Sequence, residues 1–207
     1  MTSPLRRLHL RAAREADLRV PALLSKLRRR WLLLRHPNVE LDIHPTVQIG
    51  PGFRLVAPHG GRVVVGPFVE FRRGCLLELG PGAEVVIGER AKFTHSALIQ
   101  ITTRLEVGAG AGLGQGTAIF DGRHGWDDTS KRWYEQDYLF NAIRIGEDCA
   151  IHSKCTITAS IGDRTVVGAN AVVNRDLPAD VMAGGVPAKV IRPLGAPEAA
   201  TVGDREG

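Results

Sequence analysis

The feature that most constrains this chain is a recurrence of large aliphatic residues every six positions. Near the carboxyl end these residues are Ile145, Ile151 and Ile157, followed by Ile161, Val167 and Val173. A period of six fits neither the turn of about 3.6 residues in an α-helix nor the two-residue alternation of a β-strand. It fits a chain that turns a corner every six residues, so that each aliphatic side chain points into a narrow prism. Gly and Asn fill many intervening positions, where a corner favours a positive φ.

The same spacing runs through the earlier part of the chain, in four further sets of three. These sets are Ile43, Ile49 and Leu55; Val65, Phe71 and Leu77; Ile87, Phe93 and Ile99; and Val107, Leu113 and Ile119. The position four residues after most of them is small or uncharged, as in Ala91, Ala97 and Thr117. Three hexads close a triangular coil of about 18 residues, which predicts about six stacked coils. Ile161 follows Ile157 by only four positions, and we expect a tighter corner there.

Composition agrees with a thin interior. Aromatic residues make up 5% of the chain, and 24 of its 207 residues are glycine. A narrow prism leaves little room for large rings and needs many corners. The three cysteines, Cys75, Cys149 and Cys155, form no Cys-x-x-Cys pair, so neither a disulfide framework nor a zinc motif is indicated. Cys149 and Cys155 fall on the small-residue positions, where we expect reduced thiols that fill space.

The first 36 residues differ from the rest in charge and in period. They carry ten Arg or Lys residues against Glu15 and Asp17, while the whole chain has a formal charge of +5. Leucines spaced by three and four predict helix, with Pro21 in the first turn of a second segment. We expect an α-helical cap on the open end of the coil or on a neighbouring subunit. The alternative is a basic amphipathic helix at an anionic membrane surface, and no motif for nucleic acid accompanies the charge.

The amino end gives no sign of export or of membrane insertion. No apolar run approaches the roughly 18 residues needed to cross a bilayer, and the first residues lack the form of a signal peptide. We therefore expect a cytoplasmic protein, with peripheral contact at the inner membrane face as the alternative for its basic segment.

One long insertion interrupts the repeat, at residues 121–142. Its aromatic residues are Trp126, Trp133, Tyr134, Tyr138 and Phe140. Long loops in compact folds are usually functional or disordered, and aromatic residues at this density argue against disorder. The expected organisation is a helical segment at 1–36, a repeat domain at 37–192 that carries the ordered insertion, and a loose tail at 193–207.

The hexads, together with the closing segment Gly-Gly-Val-Pro-Ala-Lys-Val-Ile-Arg at residues 184–192, resemble the hexapeptide-repeat acyltransferases. The resemblance covers residues 41–192. It implies an all-β fold, a left-handed parallel β-helix, and a homotrimer that builds its sites between subunits. It further implies acetyl-CoA as the acyl donor, no metal, and the carbohydrate hydroxyl acceptor of the family's sugar O-acetyltransferases.

The Asp-x-x-His pattern of Asp121 and His124 lies where the insertion leaves the repeat, as in sugar-acetylating members of the family. The resemblance makes His124 the catalytic base, which takes the acceptor proton as the oxygen attacks the thioester and returns it to the leaving thiol. Asp121 either orients His124 or only starts the turn, and Trp126, counted with His95 and Ser96 among the substrate-binding residues, either shields the imidazole or anchors the loop. His95 and Ser96 match a sugar-contacting position, and a structural role stays open for His95.

Five residues match CoA-binding positions of the family. Ser153, Ala169 and Asn174 correspond to positions along the pantetheine arm. Lys189 and Arg192 correspond to basic residues near the nucleotide phosphates, where charge and several N–H donors are needed. A solvated pair of charges is the alternative for these two.

The sequence thus predicts an acetyl-CoA-dependent O-acetyltransferase acting on a glycan or glycolipid precursor. Two alternatives stay open. A γ-type carbonic anhydrase would hold zinc on three histidines, and His95, His124 and His152 are the candidates, although they lack the close pair expected in that class. A non-catalytic scaffold would use the aromatic loop or the basic helix to bind a partner.

Overall fold

The structure is a computed structural model, and it describes residues 22–195. These residues form one α-helix, α1 (Ala22–Arg35), one 3-10 helix (Trp133–Glu135) and many short strands. In chain order the strands are β1 (Val39–Ile43), β2 (Gln48–Ile49), β3 (Arg54–Val56), β4 (Gly61–Val65), β5 (Glu70–Phe71), β6 (Leu76–Leu79), β7 (Glu84–Ile87), β8 (Lys92–Phe93), β9 (Leu98–Ile101), β10 (Arg104–Val107), β11 (Gly112–Leu113), β12 (Ala118–Phe120), β13 (Gly122–His124), β14 (Tyr138–Phe140), β15 (Ile143–Ile145), β16 (Ala150–Ile151), β17 (Thr156–Ile157), β18 (Val166–Val167), β19 (Val172–Val173), β20 (Val181–Gly184) and β21 (Lys189–Pro193).

Successive strands fall in rotation into three parallel sheets. The first sheet has the order β1-β4-β7-β10-β15, the second β2-β5-β8-β11-β16-β18-β20-β21, and the third β3-β6-β9-β12-β17-β19. Two isolated bridges, from Ile145 to Ile161 and from Ile161 to Leu177, continue the first sheet. One strand from each sheet makes one coil, and the chain therefore stacks about six coils, the number that the hexads predict. Within these three sheets, β21 alone runs antiparallel, beside β20, and β13 and β14 form a separate two-stranded sheet.

The predicted hexad residues form the interior in three vertical rows. One row shows the register: Ile43 pairs with Val65, Val65 with Ile87, Ile87 with Val107, and Val107 with Ile145. All of these are buried except Ile43, which is half-buried in the terminal coil. The sheets thus share one apolar core, because each coil contributes at least one aliphatic or aromatic side chain per face.

The predicted coil length of 18 residues is wrong. The first two repeats of the first sheet are 22 residues apart, from Ile43 to Val65 to Ile87, and the two near the carboxyl end are 16 apart, from Ile145 to Ile161 to Leu177. The early strands are longer because they turn two side chains inward instead of one, as β4 and β7 do. In the last two coils the first-sheet strand shrinks to a single bridge, which accommodates the tight spacing after Ile157.

Corners carry positive φ angles, but several of them are not at Gly or Asn. Arg90 and Lys154 have φ of 57° and 60°, close to the 59° of Asn170. Each lies three positions before an inward residue of the hexad. The stacked coils above and below therefore impose this conformation on ordinary residues, at a cost of about 1 kcal/mol or more each.

The cysteines match the sequence prediction. Cys75, Cys149 and Cys155 are buried and unpaired, and burial raises the pKa of each thiol. The thiols donate weak hydrogen bonds to corner carbonyls, as from Cys149 Sγ to the Gly162 oxygen at 3.1 Å. They fill small positions in the interior as neutral groups.

Helix α1 packs on the first coil, and the helix predicted in this part of the chain is confirmed over Ala22–Arg35, while Pro21 lies outside the described residues. The Ser25 hydroxyl donates to the Val47 carbonyl at 3.2 Å and accepts the Ile49 N–H at 2.8 Å, so it satisfies backbone groups at the edge strand β2. Arg28 adds a hydrogen bond to the Ile49 carbonyl. The cap is thus held largely by polar contacts to the open edge of the coil. The predicted first helical segment and most of the predicted tail lie outside the described residues, within which no helix is long and apolar enough to span a bilayer.

Candidate active site

The insertion leaves the coil at Asp121, directly after β12. The Asp121 carboxylate is 5% exposed and accepts the backbone N–H of Thr102 at 2.9 Å and that of Thr103 at 2.6 Å. The Thr103 hydroxyl donates a further hydrogen bond to it at 2.8 Å. The Asn141 N–H returns to the Asp121 carbonyl, which closes the neck of the loop. Asp121 therefore ties the root of the loop to the preceding coil.

Beyond this root, β13 and β14 pair as an antiparallel hairpin that carries two different faces. The register places Gly122 opposite Phe140 and His124 opposite Tyr138, so the alternation of strand side chains puts His124, Tyr138 and Phe140 on one face. Arg123 and its partner Leu139 lie on the other face. The prediction that this insertion is ordered is confirmed by the hairpin.

The His124 imidazole lies in an aromatic enclosure. Its centroid is 3.8 Å from the Tyr138 ring and 4.7 Å from Trp133, which meets it edge-on. His124 Nδ1 is buried and has no hydrogen-bond partner among the described residues. A buried polar nitrogen without a partner carries an energetic cost.

Asp121 does not orient His124 through a hydrogen bond in this chain. Its carboxylate oxygens are taken by Thr102 and Thr103, whereas Nδ1 of His124 has no partner. Of the two readings left open by the sequence, the contacts therefore favour the one in which Asp121 begins and fixes the turn. A direct catalytic role for this carboxylate has no contact to support it.

A cleft of about 400 Å³ opens on the other face of the hairpin. Trp126 forms part of its wall, with the Arg123 guanidinium 4.2 Å above the indole ring. Asn141 lines it from the end of the loop, and Thr158 and Asn174 line it from the two following coils. This cleft brings together three predicted site residues, Asp121, Trp126 and Asn174, and it offers an aromatic surface beside several amide and hydroxyl groups.

The other predicted residues stack at a different corner, between the second and the third sheet. Gly116 N–H donates to the His95 carbonyl, and Asn170 N–H donates to the Ser153 carbonyl at 3.0 Å, which links successive coils at this corner. Ser96 has a φ of 58°, and Ser153 and Ala169 are exposed. These four predicted residues share one edge of the stack. Within one chain they lie on a different edge from His124.

The two predicted basic residues lie on β21, which pairs with β20 at the edge of the second sheet. Lys189 pairs with Gly184, and Arg192 pairs with Met182. Lys189 is exposed, whereas Arg192 is half-buried and donates to the Pro193 carbonyl at 3.2 Å. Both cations therefore lie at the carboxyl end of the stack, away from the corner that carries His95.

The rings around His124 were not singled out from the sequence. Trp133 and Tyr138 contact the imidazole, whereas Trp126, the predicted substrate contact, lies on the opposite face under Arg123. A hairpin read from the alternation in Gly-Arg-His and Tyr-Leu-Phe would have placed Tyr138 with His124. The loop contains no hexad, so the repeat itself gives no signal for this pairing.

No group of three or more His, Cys, Asp or Glu side chains is arranged to hold a metal within residues 22–195. Of the three histidines considered for zinc, His95 and His152 lie at the corner between the second and third sheets. His124 lies in the loop that leaves the third sheet.

Comparisons with known proteins agree with this architecture. No protein-family model matches the chain. Over 54 residues, 25% of this chain and 27% of the relative, it is 43% identical to the galactoside O-acetyltransferase of Escherichia coli (strain K12), so the match spans about a quarter of that protein's length.

Two solved structures share the fold. A hexapeptide-repeat-containing acetyltransferase from Vibrio cholerae matches with a TM-score of 0.53 and 23% identity, over 93% of this chain and 94% of that one, and it has also been solved with acetyl-CoA. A mutant of AntD, an N-acyltransferase from Bacillus cereus solved with dTDP and coenzyme A, matches with a TM-score of 0.64 and 15% identity, over 78% of this chain and 88% of that one. The resemblance read from the hexads is confirmed by these findings.

Proposed function

We propose that this chain, which has the fold of the hexapeptide-repeat acyltransferases, transfers an acetyl group from acetyl-CoA to a carbohydrate hydroxyl. The observation that carries the proposal is His124, a histidine enclosed by Tyr138 and Trp133 at the point where the loop leaves the coil. The 54-residue similarity to galactoside O-acetyltransferase supports O-acetylation of a sugar. The Vibrio cholerae and Bacillus cereus structures support the fold, and those two proteins have been solved with acetyl-CoA or coenzyme A bound.

His124 acts as the general base in this proposal. Its Nε2 accepts the proton of the acceptor hydroxyl while that oxygen attacks the thioester carbonyl. The tetrahedral intermediate then expels the thiolate of CoA, which takes the proton back from the imidazolium. No acyl-enzyme forms. General base catalysis of this kind accounts for about 10²–10⁴-fold in rate.

The proposed site is shared between chains. The predicted CoA contacts Ser153 and Ala169 lie at one corner of the stack, whereas His124 lies in the loop at another. A homotrimer of left-handed parallel β-helices, as the resemblance implies, would bring the loop of one subunit to the corner of the next.

The cleft lies on the face of the hairpin opposite His124, so it can hold only a part of the acceptor remote from the reacting hydroxyl. Trp126 offers an apolar face for stacking of a sugar ring, and Asn141 and Thr158 offer hydrogen bonds to its hydroxyls, whereas Asn174 keeps its predicted place along the pantetheine arm. Lys189 and Arg192 supply positive charge for the phosphates of CoA. Because acetyl-CoA is the donor, we place the reaction in the cytoplasm, on a glycan or glycolipid precursor.

The test is an acceptor screen with acetyl-CoA, in which free thiol release is followed for nucleotide sugars, oligosaccharides and simple glycosides. The proposal predicts acceptor-dependent release and a product that gains one acetyl group by mass. Alkaline hydroxylamine separates the two linkages, since it removes an ester and leaves an amide. An amide product would replace O-acetylation by N-acetylation, and the absence of transfer to every acceptor class would overturn the proposed function.

A further inference from the structure

Helix α1 is inverted relative to an ordinary surface helix. The side that faces the coil holds Ser25 and the arginines Arg28 and Arg29, which donate or accept hydrogen bonds at backbone groups of the first coil. Leu32 is its one buried leucine. In an ordinary helix packed on a protein, the side that faces the protein core is apolar. In α1 three polar side chains, Ser25, Arg28 and Arg29, face the protein, and most of the apolar side chains face away from it.

The opposite side of α1 carries a leucine stripe, defined here as Leu23, Leu27 and Leu34. Their spacing of four and seven places them on one face of the helix, about half a turn from Ser25. They are 70%, 54% and 81% exposed. Trp31, beside the stripe, is 56% exposed. Exposed apolar residues that form one contiguous stripe indicate an interaction surface.

Positive charge surrounds this stripe. The 14 residues of α1 include five Arg or Lys residues and no Asp or Glu. Lys26 and Arg30 are exposed, and Arg35 lies 5.0 Å above the Trp31 ring. An apolar face flanked by cations, with an aromatic ring at its border, is the composition of helices that lie in the interface of an anionic bilayer.

A cavity of about 480 Å³ adjoins the same surface, between the end of α1 and the edge strand β3. Trp31, Arg35 and His36 line it from the helix, and Phe53 and Arg54 line it from the coil. Helix α1 caps the edges of the first two sheets through Arg29 and Ser25, and this cavity marks the third edge. Two guanidinium groups beside aromatic rings suit a phosphate group attached to an apolar body.

We propose that the leucine stripe and the cations around it dock this protein on an anionic phospholipid surface. The leucines and Trp31 would enter the boundary between headgroups and acyl chains, and Lys26, Arg30 and Arg35 would contact lipid phosphates. A second copy of this chain fits less well, since it would set the three exposed cations Lys26, Arg30 and Arg35 against the same three. Nucleic acid would leave the leucines without a partner. The inference does not depend on the proposed reaction.

The test is sedimentation of the full chain with vesicles that contain phosphatidylglycerol and with vesicles of phosphatidylcholine alone. We expect salt-sensitive binding to the anionic vesicles only. The triple variant Leu23→Ser, Leu27→Ser, Leu34→Ser should bind at least about tenfold more weakly. Val186→Ser, at a residue 72% exposed at the other end of the stack, is the matched control and should bind as the parent does.

The charge arm uses Lys26→Gln and Arg30→Gln, each of which should weaken binding about fivefold. If the triple variant fails to fold, these two charge variants test the proposed docking on anionic lipid. Failure of the parent protein to sediment with anionic vesicles would overturn the inference. So would equal binding by the triple variant, or a fall in solution mass on removal of the leucines, which would identify a second copy as the occupant.

Discussion

Phe93 and Phe140 are the same residue type in two regions that are built differently. Phe93 is fully buried in the coil and stacks on Phe71 with centroids 4.8 Å apart. Phe140 stacks on Tyr138 at 5.3 Å but remains 38% exposed on the hairpin. The coil therefore buries its apolar side chains within one chain. The loop gathers rings around His124 and leaves them open to solvent.

The difference separates stability from function. The coil needs no partner for its interior, because each hexad residue is covered by the coils above and below. The loop is fixed by the hydrogen bonds of Asp121 and by the hairpin. Its rings Trp133 and Tyr138 are exposed, so they are open to contact with a partner or ligand. Large losses of stability are therefore expected from the coil, and large losses of activity from the loop.

Truncation of Phe93 and Phe140 tests whether stability resides in the coil and not in the loop. It has the largest expected effect on stability. Phe93→Ala leaves a cavity in the interior and should lower the free energy of unfolding by about 3–5 kcal/mol. Phe140→Ala should cost less than about 1 kcal/mol, since the ring is partly solvated. Urea unfolding at a fixed protein concentration measures both. Equal losses would show that the loop is as much a part of the core as the coil.

Asp121 joins the two regions, and its replacement should have an intermediate effect. Asp121→Asn sets an amide group against the N–H donors of Thr102 and Thr103, so we expect a loss of about 1.5–3 kcal/mol. Asp127→Asn, at an exposed carboxylate of the same loop, is the matched control and should unfold as the parent does. An unchanged unfolding midpoint for Asp121→Asn would argue against its role as the root of the loop.

The smallest expected effect is on the decline of Tm in acid. The two residues to compare are Asp163 of the coil and Asp128 of the loop. The backbone N–H of Glu147, and then Arg144, lower the pKa of Asp163, and Ser130 lowers that of Asp128. A depressed folded pKa gives stability that is present above the unfolded pKa of about 3.9 and is lost as pH falls through the folded pKa.

Thermal unfolding between neutral pH and pH values below about 4 therefore distinguishes the two aspartates. Asp163→Asn should lower Tm at neutral pH and flatten its decline in acid, because Asp163 joins two coils. Asp128→Asn should leave the curve unchanged, because the loop opens locally. An effect of Asp128 on global unfolding would contradict this division.

The coil could be predicted from the sequence because its interior repeats one residue class at one spacing. Every hexad residue from Val65 to Val173 that was assigned inward is buried. The number of residues per coil could not be read from that spacing, since strands such as β6 add a second inward residue, Leu79 after Leu77. The pairs of aliphatics two positions apart were the available signal.

The candidate site was predictable in part. The position of His124 at the start of the insertion followed from the interruption of the repeat, and its aromatic neighbours depend on a hairpin that no hexad describes. The predicted residues divide between two corners and the closing strand, because a resemblance compares positions along the chain and gives no distances within one subunit. Ser153 and His124 are consistent with one site only across an interface between subunits.

The most direct test of the account replaces the imidazole alone. His124→Ala should lower acetyl transfer by about 10²–10⁴-fold, while the unfolding midpoint and the rise in Tm on addition of acetyl-CoA stay those of the parent. His59→Ala, at an exposed turn residue of the coil, is the control and should transfer at the parental rate. Acetyl transfer by His124→Ala at the parental rate would contradict the claim that this loop histidine is the general base of the reaction.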